Sequence, residues 1–166
     1  WRVRVVTSRQ RYDDPGARLP ARELIDGVEV VRVATTRFGR TGLSGRAVDY
    51  LTFYLSAAWT LLRSIRPGDV VVAKTDPPLL SILTSPIARL RRASAVNWLQ
   101  DLFPEIAAGV GLGGGRAAGL AFATLARLRD ASLRGAACNV VLGERMRRLV
   151  LARGIPDDAI RIVHNW

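Results

Sequence analysis

Short apolar runs rich in β-branched residues alternate along this chain with segments whose apolar residues recur every three or four positions. Runs of this length between amphipathic helices are typical of a parallel sheet with helices on both faces. No linker or internal repeat divides the sequence. The chain therefore predicts an α/β, Rossmann-like fold and a single domain over residues 1–166. The predicted strands are residues 2–7, 28–34, 69–74, 94–99, 138–143 and 160–166.

Composition and charge narrow the class of protein. With 49% hydrophobic residues in 166, the chain can bury a sizeable core. Its net charge of +11 favours an anionic partner, such as a phosphorylated ligand or an anionic membrane surface. The basic residues are scattered rather than clustered, which argues against nucleic acid. Cys138 is the only cysteine, so an intrachain disulfide framework is excluded.

One long helix is predicted before residue 67. Ser44 is its predicted N-cap, and Pro67-Gly68 is predicted to end it. The predicted buried face consists of the apolar positions Val48, Leu51, Leu55, Ala58, Leu62 and Ile65. The apolar run 50–62 is too short to cross a bilayer, which needs about 20 residues. Two interpretations stay open for Phe53, Tyr54 and Trp59: packing in the core, or contact with a membrane.

Polar residues follow two of the predicted strands directly. Gln100 and Asp101 come after strand 94–99, and Lys74, Thr75 and Asp76 lie at the end of strand 69–74. In open α/β sheets, ligands bind at the carboxyl ends of the strands. Asp101 either orients a substrate hydroxyl and stabilises developing charge or caps the next short helix. Lys74 either binds phosphate or is an exposed loop charge.

Further candidates lie in loops that the fold brings to the same edge. Arg37 and Arg40 follow strand 28–34 and either grip a pyrophosphate or acidic sugar or form a solvated basic loop. Gly143 and Glu144 begin a helix whose N–H groups suit a phosphate. The only histidine, His164, stands beside Asn165 at the end of the last strand. A lone histidine predicts no metal site.

Four motifs in this order, "IDGVEVVRV", "KTDPPLLSI", "VNWLQDLFPE" and "VVLGERMRRLVLARGIPDDAIRIVHNW", resemble the N-terminal half of family 4 glycosyltransferases. The similar enzymes include the bacterial colanic acid biosynthesis branch. The resemblance implies a GT-B architecture, in which two Rossmann-like domains face each other across a cleft. It also implies a retaining transfer without metal or cofactor, from a nucleotide-sugar to a glycan acceptor that is often lipid-linked. The acceptor lies on the N-terminal domain and the nucleotide-sugar mostly on the C-terminal one.

The same resemblance assigns roles to the candidates. It implies that Asp101 and Gln100 lie at the reacting centre. Residues 74–76, Arg37 and Arg40 would contact the acceptor. Residues 143–144 and 164–165 would lie near the donor. It also implies a cytoplasmic protein at the inner face of a bacterial cell membrane, engaged in exopolysaccharide synthesis. A basic domain suits that anionic surface.

The sequence departs from the family pattern at both ends. The family's first strand, glycine-rich loop and helix have no counterpart, and that strand would lie between 2–7 and 69–74. We therefore expect another segment or another chain to fill the position, because unpaired backbone groups are costly when buried. The donor domain has no counterpart either, so residues 1–166 alone are not expected to catalyse transfer.

Two other classes of function compete with this interpretation. A nicotinamide- or nucleotide-dependent Rossmann enzyme would show a glycine fingerprint after its first strand and a Tyr/Lys pair on a helix, and neither is visible. The glycine-rich stretch 109–115 follows a predicted helix rather than a strand, which favours a connector. A non-catalytic basic module for nucleic acid or membrane would bind with steep salt dependence and no sugar specificity.

Overall fold

The computed structural model describes residues 1–10, 19–38, 42–103 and 116–165, without the side chains of Leu43 and residues 116–118. These residues form a mixed α/β fold in two compact units, Trp1–Ser64 and Ile65–Trp166. The predicted α/β class is confirmed. That residues 1–166 act as a single acceptor-binding domain stays a prediction.

The first unit contains a three-stranded sheet and one long helix. Its strands are β1 (Arg4–Ser8), β2 (Arg22–Ile25) and β3 (Val28–Val33), in the spatial order β1-β3-β2. β1 runs parallel to β3, whereas β2 runs antiparallel to it, so this sheet is mixed. Helix α1 (Leu43–Ser64) packs on β1 and β3.

Strand β2 is not among the six predicted strands. Asp26 and Gly27, with φ angles of 48° and 80°, form the two-residue turn that joins Ile25 to Val28. Asp-Gly is the strongest short-range hairpin signal, because both central residues of such a turn need positive φ. The charged residues of the short strand before this turn conceal the hairpin in the sequence.

The predicted buried face of α1 is wrong over the first half of the helix. Val48, Leu51 and Leu55 are exposed, and the helix buries Phe53 and Ala57 instead. Of the other predicted positions, Ala58 and Leu62 are half-buried, and Ile65, just after the helix, is buried. The helix begins at Leu43, so Ser44 lies in its first turn rather than at the N-cap, and it ends at Ser64, before the predicted stop. No helix in the described part of the chain is long and apolar enough to span a membrane.

The second unit contains a four-stranded, fully parallel sheet in the order β4-β5-β6-β7. Its core forms where Leu99, Leu133, Val141 and Val150 meet at nearly zero exposure. Pro77 and Pro78 precede α2 rather than forming its first turn, and Leu79 before the helix is left-handed, with φ of 64°. The elements are β4 (Val70–Lys74), α2 (Leu80–Leu90), β5 (Ser94–Trp98), α3 (Arg116–Gly135), β6 (Cys138–Val141), α4 (Glu144–Leu151), a 3₁₀ turn (Asp157–Ala159) and β7 (Ile160–Ile162).

Two buried asparagines face each other across the centre of this sheet. Asn97 on β5 is the register partner of Asn139 on β6, and both are at most 1% exposed. Asn97 Nδ2 donates to Asn139 Oδ1 at 2.9 Å, and Asn139 Nδ2 donates to the carbonyl oxygen of Leu133 at 3.0 Å. Breaking such a pair leaves buried polar groups unsatisfied, so the pair disfavours any slip of β5 against β6.

Strands β1 and β4 each pair on one side only among the described residues. β1 pairs with β3 and β4 with β5, so each strand has one free edge within its own sheet. On β4, Val70 and Val72 are both more than half exposed. Free edges with exposed apolar side chains invite strand pairing. These are the two strands beside which the sequence analysis expected another segment or chain, and that filling stays a prediction.

Candidate functional site

The loops that follow β4 and β5 meet at the carboxyl edge of the four-stranded sheet. Lys74 ends β4, with Thr75 and Asp76 directly after it, and Gln100 and Asp101 follow β5. The backbone N–H of Gln100 donates to Thr75 Oγ1 at 3.1 Å. One hydrogen bond thus ties the two predicted site loops together.

The loops at residues 74–76 and 100–101 form what we call the corner, and the end of the last strand supplies its third part. Asn165 follows β7, and its Nδ2 donates to Gln100 Oε1 at 3.0 Å. The side chain of Gln100 is therefore held by Asn165, while its backbone is held by Thr75. The sequence analysis placed Gln100 and Asn165 on different sides of the predicted site, and the structure brings them into contact.

Asp101 is the carboxylate of this corner. Its Oδ1 is buried and has no hydrogen-bond partner among the described residues. It lines a cavity of about 10 Å³, which is room for one water molecule. A buried carboxylate oxygen without a partner is costly, so it is poised to accept a hydrogen bond from a water or a substrate hydroxyl. The segment that Asp101 was alternatively predicted to cap lies outside the described residues. The cavity is lined by Thr75, Leu79, Ser81, Leu99, Asp101, Leu102, Phe103 and Arg129.

Arg129 of α3 lines the same cavity, and the sequence analysis did not select it. Its side chain is almost fully buried; Nη1 donates to the carbonyl oxygen of Phe103 at 2.7 Å, and Nε donates to Asp130 Oδ1 at 2.7 Å. These bonds hold a guanidinium beside the loop that carries Asp101. A helix with several arginines offers little sequence signal for the buried one, although the adjacent Arg129-Asp130 pair is a weak hint.

Lys74 and Asp76 are both exposed at the end of β4. Lys74 Nζ lies 5.6 Å from the ring centroid of Trp98, its register partner on β5. An ammonium at that distance from an aromatic face is attracted to the ring. Lys74 therefore has a contact within the protein, and its predicted phosphate-binding role stays a prediction.

The predicted donor-side residues lie at the carboxyl ends of β6 and β7. Helix α4 begins at Glu144 with Gly143 before it, as predicted. His164 Nδ1 lies 2.9 Å from the carbonyl oxygen of Leu142, so Nδ1 carries the proton and Nε2 is the acceptor in a neutral ring. A Cβ at Gly143 would lie 3.9 Å from His164 Cε1, so Gly143 and His164 are neighbours.

The remaining acceptor-side candidates belong to the first unit. Arg37 is exposed in the loop after β3, and Arg40 lies outside the described residues, as does the glycine-rich stretch 109–115. The sequence analysis overlooked Asp49 on α1, which anchors this loop. Its Oδ1 accepts from Thr36 Oγ1 at 2.6 Å and from the backbone N–H of Phe38 at 3.0 Å, on either side of Arg37.

The anchored loop is part of a larger polar group at the carboxyl ends of β1 and β3. Thr36 N–H donates to Thr52 Oγ1 at 3.1 Å, and Gln10 Nε2 donates to Thr35 Oγ1 at 3.0 Å. Gln10 Nε2 also donates to the carbonyl oxygen of Thr36, and Gln10 N–H donates to Ser8 Oγ at 2.9 Å. The side chains of this group therefore satisfy one another.

Within the described ranges, no cluster of three or more His, Cys, Asp and Glu residues could hold a metal ion. The candidate site offers a carboxylate, carboxamides, a hydroxyl, an imidazole and a guanidinium. This set can orient hydroxyl groups and stabilise charge.

Comparison with known proteins places the chain in a family. A comparison with curated proteins finds no significant match. The family described as "Glycosyl transferase 4-like domain" matches residues 1–166, the whole chain. The predicted resemblance to family 4 glycosyltransferases is thereby confirmed at the level of the family. This chain belongs to the glycosyl transferase 4-like family.

Proposed function

We propose that this chain is the acceptor-binding part of a retaining glycosyltransferase of GT-B architecture. The family supports sugar transfer from a nucleotide-sugar donor to a glycan acceptor in general. We propose that the donor is held mostly by a second domain outside residues 1–166, and that these residues alone do not catalyse transfer. No cofactor is part of the proposal.

The observation that carries the proposal is the unpartnered Oδ1 of Asp101 at the carboxyl edge of the parallel sheet. Ligands of open α/β sheets lie at that edge. In the proposed reaction, Asp101 accepts a hydrogen bond from the attacking acceptor hydroxyl or stabilises the positive charge that develops on the transferred sugar. Gln100, fixed by Thr75 and Asn165, directs its amide to the same acceptor.

The donor side of the proposal uses the ends of β6 and β7. The N–H groups at the start of α4, at Gly143 and Glu144, point along the helix axis and favour a phosphate. His164, adjacent to Gly143, offers Nε2 as an acceptor for a sugar hydroxyl. On the acceptor side, Lys74, Asp76, Arg37 and Arg40 are proposed to contact the glycan or its phosphates.

We further propose that the acceptor is lipid-linked and that transfer takes place at the inner face of a bacterial cell membrane, in exopolysaccharide synthesis. The net charge of +11 supports this location, because anionic lipids attract basic proteins. The free edges of β1 and β4 support the proposal that a further segment or a second chain pairs with them.

The test is sugar transfer by the full natural protein, with a panel of nucleotide-sugars and a membrane extract as acceptor. We compare Asp101→Asn with Asp158→Asn, a matched control in the exposed 3₁₀ turn. Loss of the carboxylate at Asp101 is expected to lower kcat by about 10²- to 10³-fold, the usual effect of removing one charge-stabilising group. Asp158→Asn should leave kcat unchanged.

Each alternative function has its own signature in the same experiment. Equal activity of the wild type and Asp101→Asn would remove Asp101 from the reacting centre. No transfer from any donor, together with nicotinamide binding, would favour the nucleotide-dependent Rossmann enzyme. No transfer together with salt-sensitive DNA binding would favour the basic binding module.

A further inference from the structure

Helix α1 has two apolar faces. One face carries the buried Phe53 and Ala57 and packs on the sheet of the first unit. On the other face, Val48, Leu51, Leu55 and Trp59 are exposed by 42%, 56%, 63% and 59%. We call these four residues the α1 stripe. At 3.6 residues per turn, Leu55 lies about 200° around the helix from Phe53, so the stripe points away from the sheet.

The α1 stripe is continuous along the helix. Its members are three or four positions apart, so they line up on one side over about 16 Å. Single exposed apolar side chains are ordinary on protein surfaces, but a row of four including a tryptophan marks an interaction surface.

The charges on α1 indicate what kind of partner the stripe fits. The only acidic residue of the helix, Asp49, is buried, and the exposed cation Arg63 lies one turn beyond Trp59, at the end of the stripe. The guanidinium of Arg63 lies 4.0 Å from the ring centroid of Trp59. The exposed side of the helix thus presents apolar side chains with a cation beside them and no carboxylate.

This arrangement matches an anionic lipid surface better than a partner helix. Helices that pair with one another usually flank their apolar seam with charges of both signs. Helices that lie in a bilayer interface combine leucine and tryptophan on one face with arginine or lysine beside it. Tryptophan is also enriched at the level of the lipid headgroups.

We propose that α1 lies in the plane of an anionic bilayer, with the α1 stripe inserted at the boundary between headgroups and acyl chains. Arg63 contacts the lipid phosphates. The inference deepens the proposed function, since it names the surface that would bring the enzyme to a lipid-linked acceptor. Lipid binding needs neither donor nor acceptor, so it is measured independently of sugar transfer.

The experiment is flotation of the full natural protein with two kinds of vesicle at physiological salt. One kind contains phosphatidylcholine alone, and the other contains phosphatidylcholine with phosphatidylglycerol. We expect binding to the mixed vesicles, weakened about tenfold by Leu55→Gln because an apolar insertion is lost. Arg63→Gln should weaken it about fivefold. The matched control is Leu120→Gln on α3, where the leucine is 69% exposed and binding should be unchanged.

A spectroscopic measurement tests the same surface with a variant that keeps an aromatic ring. Lipids with brominated acyl chains should quench part of the tryptophan fluorescence of the bound wild type. That part should be lost in Trp59→Phe. Circular dichroism confirms that each variant is folded, and transfer assayed in detergent extract reports separately on the proposed function.

Three results would overturn the inference. The first is failure of the wild type to bind the mixed vesicles. The second is a loss of binding in Leu120→Gln equal to that in Leu55→Gln. The third is a change of oligomeric mass in Leu55→Gln, seen by analytical ultracentrifugation, with vesicle binding unchanged; the stripe would then be a contact between two copies of the chain.

Discussion

Polar side chains gather at the carboxyl ends of both sheets, but the two groups differ in how they are satisfied. In the first unit, Asp49 Oδ1 accepts two hydrogen bonds, from Thr36 and Phe38. In the second unit, Asp101 Oδ1 is buried and accepts none among the described residues. Both carboxylates lie where α/β proteins bind ligands, so position alone does not separate their roles.

The difference separates a residue that shapes a loop from one that is available to a ligand. Asp49 holds the side chain of Thr36 and the backbone N–H of Phe38, on either side of Arg37, so its hydrogen-bonding capacity stabilises the fold. Asp101 lines a water-sized cavity, and its Oδ1 accepts no hydrogen bond from the described residues. That oxygen is therefore available to a ligand. Unsatisfied buried groups in a folded protein often mark functional positions for this reason.

The largest stability effect should separate the two carboxylates. Asp49→Ala leaves the half-buried hydroxyl of Thr36 and the backbone N–H of Phe38 without their acceptor and removes a buried side chain, and we expect it to lower the free energy of unfolding by about 3 kcal/mol. Asp101→Ala should lower it by less than about 1 kcal/mol. Urea unfolding followed by circular dichroism measures both. Asp49→Asn, which keeps an oxygen acceptor, should lose less free energy of unfolding than Asp49→Ala. Equal losses in Asp49→Ala and Asp101→Ala would show that the two carboxylates do not differ in their structural role.

A smaller effect tests whether the corner of the second unit is preorganised. Thr75→Val removes the acceptor of the Gln100 N–H and should lower the free energy of unfolding by about 1–2 kcal/mol. The matched control is Thr124→Val on α3, whose hydroxyl only donates back to the Leu120 carbonyl oxygen at 2.9 Å and whose loss should stay within about 0.5 kcal/mol. If both variants unfold at the same urea concentration as the wild type, the two loops are not held by Thr75.

The smallest effect concerns an ion pair of the first sheet. Arg4 Nε and Nη2 both donate to Glu29 Oε2, at 2.9 and 2.8 Å, and this hydrogen bonding holds the pKa of Glu29 below its ordinary value of 4.5. The ionised carboxylate therefore adds stability above pH 4.5, and that stability is lost as pH falls through the lower pKa of the folded state. The contribution is small because the pair is exposed.

Titration of the Glu29 carboxyl by NMR measures this pKa directly. Arg4→Gln should raise the pKa of Glu29 towards the ordinary value. Glu29→Gln should remove the contribution of this carboxyl to the loss of stability at acid pH. A Glu29 pKa that stays unchanged in Arg4→Gln would show that Arg4 is not its cause.

Much of the fold follows from local patterns in the sequence. All six predicted strands are present, because continuous β-branched runs between helices have few other stable arrangements. The buried face of α1 was wrong over the first half of the helix because that helix is apolar on both sides, and periodicity cannot tell which side meets the sheet. The residues that it buries there are Asp49, Phe53 and Ala57, and an acid among them breaks the apolar pattern.

The candidate site was also predicted only in part. The rule that ligands lie at the carboxyl ends of strands located Thr75, Gln100 and Asp101 from the sequence. Arg129 and Asp49 could not be found that way, since each lies inside a helix and reaches its site through tertiary packing. The contact between Gln100 and Asn165, 65 residues apart, likewise depends on the strand order β5-β6-β7.

The bias of this chain towards arginine has a practical consequence at Lys74. It is the only lysine in the sequence, and it stands exposed at the end of β4, beside the candidate site. Within residues 1–166, an amine-selective dye would therefore attach to one side chain. Since Nζ lies 5.6 Å from the Trp98 ring, energy transfer from that indole to the dye would give an optical signal from the corner where acceptor is proposed to bind.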